Sequence, residues 1–178
     1  MKRIVLTTVA AVFLASCAQM AHTPPAPKLK DGEVRVPSDY RSWPTTIKDI
    51  QRPDAKQVRD IYVNTAGAGA KAGQPLPDGS VIVMDLYKAN LNPDGTVIKG
   101  ADGKLVKGDL LKVFVMAKGA GWGELAPTGL KNGDWSYAAY MPDAKTASAD
   151  QMTACRTCHL PIGEAKDFVA RYNDYVKK

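Results

Sequence analysis

The chain has 178 residues, 45% of them hydrophobic and 24% charged, which suits one domain with a buried core. Its formal charge of +6 is spread along the sequence with no Lys/Arg cluster, so composition argues against a nucleic-acid interface. Beyond the N-terminus no apolar run approaches the roughly 20 residues that a membrane-spanning helix needs.

Lys2 and Arg3 form a short basic region, and Ile4–Leu14 follows as an apolar run of signal-peptide length. The next residues, Leu14-Ala15-Ser16-Cys17, resemble a bacterial lipobox. On this reading residues 1–16 are a lipoprotein signal peptide, cut before Cys17, and acyl chains on Cys17 hold the mature protein at a bilayer. The alternative is an ordinary secretory signal cut near Ala18. Lipidation also accounts for the odd third cysteine. Ala18 is not a residue that would retain such a lipoprotein at the inner membrane, which points to the outer membrane of a bacterial envelope, facing the periplasm. Either route exports the protein, and loss of Lys2 and Arg3 takes the charge from +6 to +4. Pro24, Pro25 and Pro27 then mark a Pro-rich tether. The expected organisation is a signal over 1–16, anchor and tether over 17–33, and one domain over 34–178.

Tyr40-Arg-Ser-Trp43 reads as a short helical turn ended by Pro44. Arg59–Val63 has strand composition. Ala66–Ala72 reads as a short helix stopped by Gly73, Pro75 and Pro77. Ser80–Tyr87 is apolar on both faces, the pattern of a central strand. The Gly- and Asp-rich stretch from Asn92 to Lys107 is a hairpin or loop, and Leu110–Ala117 is a further strand. Gly119–Gly133 is a loop in which Trp122, between Gly121 and Gly123, serves as a packing anchor. Trp135–Met141 is a strand with Trp135, Tyr137, Ala139 and Met141 on one face. Ser148 and Gln151 have capping-box spacing at the start of a helix, and Phe168, Tyr172 and Tyr175 recur at helical spacing towards the C-terminus. Strands first and helices last make an α+β domain.

The chemistry concentrates in Cys155-Arg156-Thr157-Cys158-His159. Cys-x-x-Cys-His is the attachment pattern of c-type haem. On a helix, residues three and four apart share a face, so Cys155 and Cys158 can form thioethers to one macrocycle while His159 serves as the proximal iron ligand. The pattern arises by chance in on the order of one chain in a thousand, and export strengthens it, because such haem is attached outside the cytoplasm. A structural zinc site needs four N or S ligands; the mature chain adds only Cys17 and His22, both beside the anchor, where His22 is more simply a solvated residue. A thioredoxin-like dithiol opens a helix in a βαβ unit, whereas this motif ends a helix late in the chain. A disulfide across so short a loop removes little loop entropy.

The order of the chain resembles the cytochrome P-460 family, including its gas-binding cytochrome c′-beta branch. The residues that carry the likeness are Tyr40-Arg-Ser-Trp43, Ile61-Tyr62-Val63-Asn64, Leu76-Pro-Asp-Gly79-Ser-Val-Ile-Val83, Val113-Phe-Val-Met116, Gly121-Trp122-Gly123, Gly133-Asp-Trp135-Ser-Tyr137 and the late Cys-x-x-Cys-His. The resemblance implies a five-stranded antiparallel sheet with flanking helices, often dimeric, with the haem-bearing helix near the C-terminus and one covalent, five-coordinate haem c. The P-460 branch also cross-links its haem to a lysine in the strand after the Asp-Gly turn. The aligned position here is Met84, whose thioether cannot form that bond.

On the distal side Met84, Phe114 and Met116 are candidates to line the pocket, with ordinary sheet core as the alternative for all three. If Met84 only packs near the haem, an open apolar iron site suits NO, CO or a similar small ligand. If its sulfur ligates iron, the protein is a His/Met electron-transfer cytochrome serving a redox partner protein. A hydroxylamine or NO oxidoreductase is the third reading, weakened because Lys112 is the one ionisable group in Leu110–Ala117. Asp85 and Glu124 read as surface or edge carboxylates, and Arg156 and Thr157 as residues that cover the haem edge.

Overall fold

Every strand of the sheet pairs with its sequence neighbour: a tight turn joins the first two strands, and longer loops return the chain for each of the others. The computed structural model describes residues 27–177, so the expected signal peptide, Cys17 and His22 lie outside the described residues. The strands β1 (Thr45–Arg52), β2 (Gln57–Val63), β3 (Val81–Ala89), β4 (Lys107–Lys118) and β5 (Trp135–Tyr140) form one antiparallel sheet in that order, with β3 central. Among the described residues two α-helices accompany them, α1 (Thr65–Ala68) and α2 (Met152–His159). The α+β class with a cysteine-bearing helix near the C-terminus is what the structure shows.

Alternation along the strands sorts the side chains into two faces. On the first, Ile61, Met84, Phe114 and Ala139 form one cross-strand row, and Val63, Ile82, Met116 and Tyr137 the next. On the second, Tyr62, Val83, Val115 and Ala138 form a row beside Asp60, Asp85, Val113 and Tyr140. Each face builds its own apolar cluster. The first is covered by Leu76 and by Val169, Tyr172, Tyr175 and Val176 of the C-terminal segment. The second is covered by Val34 and Tyr40, with Trp43 packed beside them. Burial from both sides is why β3 reads as a continuous apolar run.

One strand was not expected, and three expectations need correcting. β1 lacks strand alternation because a bulge interrupts it. The register slips between Ile47 and Ile50, Asp49 takes φ 57°, and its N–H donates to the Asp60 carboxylate at 2.9 Å. The helix expected at Ala66–Ala72 shrinks to α1, capped by Asn64, whose side chain accepts from Gly67 N. The capping box is not made: α2 starts at Met152 without a side-chain cap, and the Ser148 hydroxyl donates to Asp150 instead. The C-terminal segment is two 3-10 turns, Glu164–Lys166 and Tyr172–Asp174, because Asp167, Phe168 and Arg171 adopt left-handed φ values. Phe168, Tyr172 and Tyr175 are nonetheless all buried.

Asp85 is not a surface charge. It is fully buried on the second face, where it accepts from Tyr40 Oη at 2.6 Å, Arg41 Nε at 2.9 Å and Tyr87 Oη at 3.2 Å. Glu124 is exposed and paired with Lys28. Residues 28–33, expected as the end of a tether, lie along the β5 edge: Gly32 N donates to Tyr137 O, and Ser136 Oγ to Leu29 O. This strap occupies an edge that would otherwise present free backbone groups.

Trp122 packs over Gly119 as an anchor, and the loop around it is tight. A Cβ at Gly123 would lie 2.0 Å from Gly133 O, a backbone atom that cannot step aside. Gly123→Ala is therefore expected to cost about 1–3 kcal/mol. Thermal unfolding should register this as a drop of about 2–4 °C per kcal/mol; an unchanged melting point would show that the loop opens freely.

Candidate haem site

Helix α2 lies against β5 and is fixed there by Arg156, one of the two residues between its cysteines. Arg156 is 1% exposed. Its Nε and Nη2 donate to the two Asp31 carboxylate oxygens at 2.7 and 2.8 Å, Nη2 also reaches Trp135 O at 3.0 Å, and Nη1 reaches Leu130 O at 3.2 Å. Asn132 Nδ2 donates to Arg156 O at 3.2 Å. Arg156 is thus an internal anchor rather than a cover for a haem edge, whereas Thr157 faces out and donates to Thr153 O. Fixing Arg156 inward fixes the rotation of the helix, and with it where Cys155, Cys158 and His159 stand.

Cys155 is partly buried and packs against the apolar cluster of the first sheet face, as Met84 and Met152 do; Cys158 is exposed. Burial, aided by the charges of Asp150 and Asp31, pushes the Cys155 thiol up to about 11. His159 ends the helix. Its Nδ1 lies 2.7 Å from Phe168 O. A carbonyl oxygen only accepts, so Nδ1 carries the hydrogen and Nε2 keeps a free lone pair. Burial lowers the His159 pKa and outweighs the opposing pull of the Phe168 carbonyl, which favours the neutral imidazole. The ring also meets Tyr137 edge-on at 5.3 Å, and Tyr137 in turn lies under the Arg156 guanidinium at 5.1 Å.

The first sheet face carries the other candidates. Met84 and Phe114 are cross-strand partners, both half-buried, and Met116 lies one row along at 6% exposure inside the cluster. The sheet therefore brings Met84 and Cys155 to one apolar cluster, while Met116 is placed as sheet core.

Whether these residues suit a haem can be tested on the polar atoms they bury. Among the described residues, two buried side-chain atoms lack a hydrogen-bond partner, Arg59 Nε and Tyr137 Oη. Both belong to the first face: Arg59 is two residues along β2 from Ile61, and Tyr137 touches His159. Burial lowers the Arg59 pKa, with Arg52 opposing and Cys158 favouring the charged form. A buried donor without a partner costs about 1–3 kcal/mol, and two of them beside a Cys-x-x-Cys-His helix fit a group with carboxylate substituents. A free imidazole lone pair, two thiols three residues apart and an apolar wall complete the donor set that covalent haem requires.

Sequence reading missed Arg59, Tyr137, Asp31, Asp150 and Asp167. Asp150 precedes α2 and pairs with Lys112 at 2.6 Å. Burial would raise its carboxyl, but hydrogen bonds from Lys112 and Ser148 hold it below the ordinary range. It stands as an anion already matched by a cation, not as a proton donor.

A protein-family model described as Cytochrome P460 matches residues 37–171, which spans the sheet and the whole of α2. No curated protein matches the chain.

Proposed function

The chain belongs to the cytochrome P460 family and so is a haem cytochrome, and from that premise we propose that it is an exported monohaem cytochrome c that binds NO or a similar small neutral ligand. Bound haem would supply an iron able to bind a small ligand and to change oxidation state. Cys155 and Cys158 would hold the group through thioethers, and His159 Nε2 would be its ligand to the iron. Met84 and Phe114 present an apolar surface from β3 and β4. The observation that supports this reading is the Nδ1–H of His159 pointed at Phe168 O at 2.7 Å, which leaves the lone pair of the other ring nitrogen free to take a metal. Arg59, with its unpartnered Nε, supports a polar contact to a haem carboxylate or to the bound ligand. Cys17 remains our proposed lipid anchor, holding the domain in the bacterial envelope with its face to the periplasm.

Electron transfer with Met84 as sixth ligand is the second reading, supported by the packing of Met84 and Cys155 against one cluster. A hydroxylamine or NO oxidase is the weakest. Met84 stands where the family's cross-linking lysine aligns, and Asp150 is neutralised by Lys112. The absorption spectrum of the reduced protein separates the three. High-spin five-coordinate bands that shift on adding NO are expected. A low-spin spectrum with a methionine-to-iron charge-transfer band, abolished by Met84→Leu, would replace ligand binding by electron transfer. A strongly red-shifted band would reveal a cross-link through another lysine.

A further inference from the structure

The carbonyl that orients His159 belongs to a strained stretch of backbone. Asp167 and Phe168 adopt φ of 48° and 57° in succession, and left-handed conformation costs a non-glycine residue on the order of 1–3 kcal/mol. Such geometry persists where its surroundings over-determine it, and here they do. The Asp167 carboxylate accepts from Lys118 Nζ at 2.8 and 2.9 Å and from Leu76 N at 2.9 Å. Its backbone carbonyl accepts from Trp135 Nε1 at 2.9 Å. Phe168 N donates to Gly163 O at 3.0 Å. The Lys118 and Asp167 side chains are only 11% and 6% exposed, so the ion pair is shielded and directional.

Two left-handed residues stand in succession at this place. Their consequence is that the Phe168 carbonyl faces the imidazole.

We propose that Asp167, clamped by Lys118 and Trp135, is a positioning residue for the proximal histidine, setting the strength of the hydrogen bond from His159 Nδ1–H to Phe168 O. This rests on His159 being the iron ligand. An imidazole that donates strongly to a carbonyl is a better electron donor to the metal and favours the ferric state. Releasing the clamp weakens that bond, leaves the imidazole a poorer donor and favours the ferrous state.

The test uses the haem-loaded protein. Asp167→Ala removes the carboxylate, and Trp135→Phe removes the indole N–H that holds the Asp167 carbonyl while keeping an aromatic ring in the core. Asp167→Ala is expected to raise the ferrous-to-ferric ratio at a fixed ambient potential by about tenfold, the lower end of what outer-shell changes produce. For a one-electron couple that is a rise of about 59 mV in midpoint potential. The iron–histidine stretch of the ferrous protein should move to lower frequency. Trp135→Phe should move both in the same direction by less, and it decides the matter if Asp167→Ala does not fold. Val58→Ala, in a separate apolar cluster with Ala89 and Leu105, should lower the melting point without moving the potential. Unmoved potential and stretch in haem-loaded Asp167→Ala and Trp135→Phe overturn the inference, as does an equal shift in Val58→Ala. A mass without a haem adduct overturns the reading of His159 itself, and this inference with it.

Discussion

With Cys155 and Cys158 both changed to alanine, haem that survives acid–organic extraction on the polypeptide is expected to fall from stoichiometric to none. Each single variant should retain the group through one remaining thioether. The two sulfurs stand three residues apart on α2, so one macrocycle can take both. The double variant should still fold, because α2 is held by Arg156 and not by its cysteines. Circular dichroism of the variant checks that point, and mass spectrometry of both forms counts haem. A wild-type protein that yields all its haem to extraction, or that carries zinc in its place, would sink the proposed attachment. A structural role for the thiols predicts the reverse pattern, with loss of fold and no effect on colour.

Arg156→Ala is expected to destabilise the domain by about 3–5 kcal/mol, the usual cost of breaking a buried ion pair from one side. Total stabilities of domains lie at about 5–15 kcal/mol, so the loss takes a large share of the whole. The loss strands the Asp31 carboxylate and the carbonyls of Leu130 and Trp135 together. It also removes the cation over Tyr137, the ring that braces His159. A melting point lower by about 6–20 °C should follow. Arg156→Lys should recover little, because an ammonium cannot span two carboxylate oxygens and two carbonyls at once. Asp31→Asn should cost less, since an amide oxygen still accepts from the guanidinium. A melting point for Arg156→Ala within a degree or two of the parent would show that the strap, and not the arginine, holds α2.

These two variants divide the motif into halves of different legibility. Cys155, Cys158 and His159 announce themselves, because the proposed haem attachment calls for those residue types at that spacing on one helical face. Arg156 sits in a variable position where any residue is allowed, and nothing in its neighbours signals a buried guanidinium. Its partner Asp31 is 125 residues away in a stretch that reads as tether. The strands follow the same division. β3, β4 and β5 are legible from apolar runs and alternation, as is the turn at Tyr40–Ser42. β1 is not, because the bulge at Asp49 puts Ile47 and Ile50 three residues apart and destroys the period of two. The C-terminal aromatics keep a spacing of three to four that suits 3-10 turns as well as an α-helix, so burial could be read from them but not conformation.

By itself the sequence determined the class of the fold, the family and the site of its most specific motif. Each of these is written in residues that are adjacent or periodic, and local chemistry is enough to recognise them. Only the tertiary structure decided what holds that motif and what faces it. The Asp31–Arg156 pair, the Lys118–Asp167 clamp behind the Phe168 carbonyl and the meeting of Met84 with Cys155 at one cluster all join segments distant in sequence. Such contacts come from the closure of the chain around a twisted sheet, where a side chain's role is set by the face it reaches and by the neighbour already there. No short pattern encodes that, because the partner is chosen by register and burial and not by proximity along the chain.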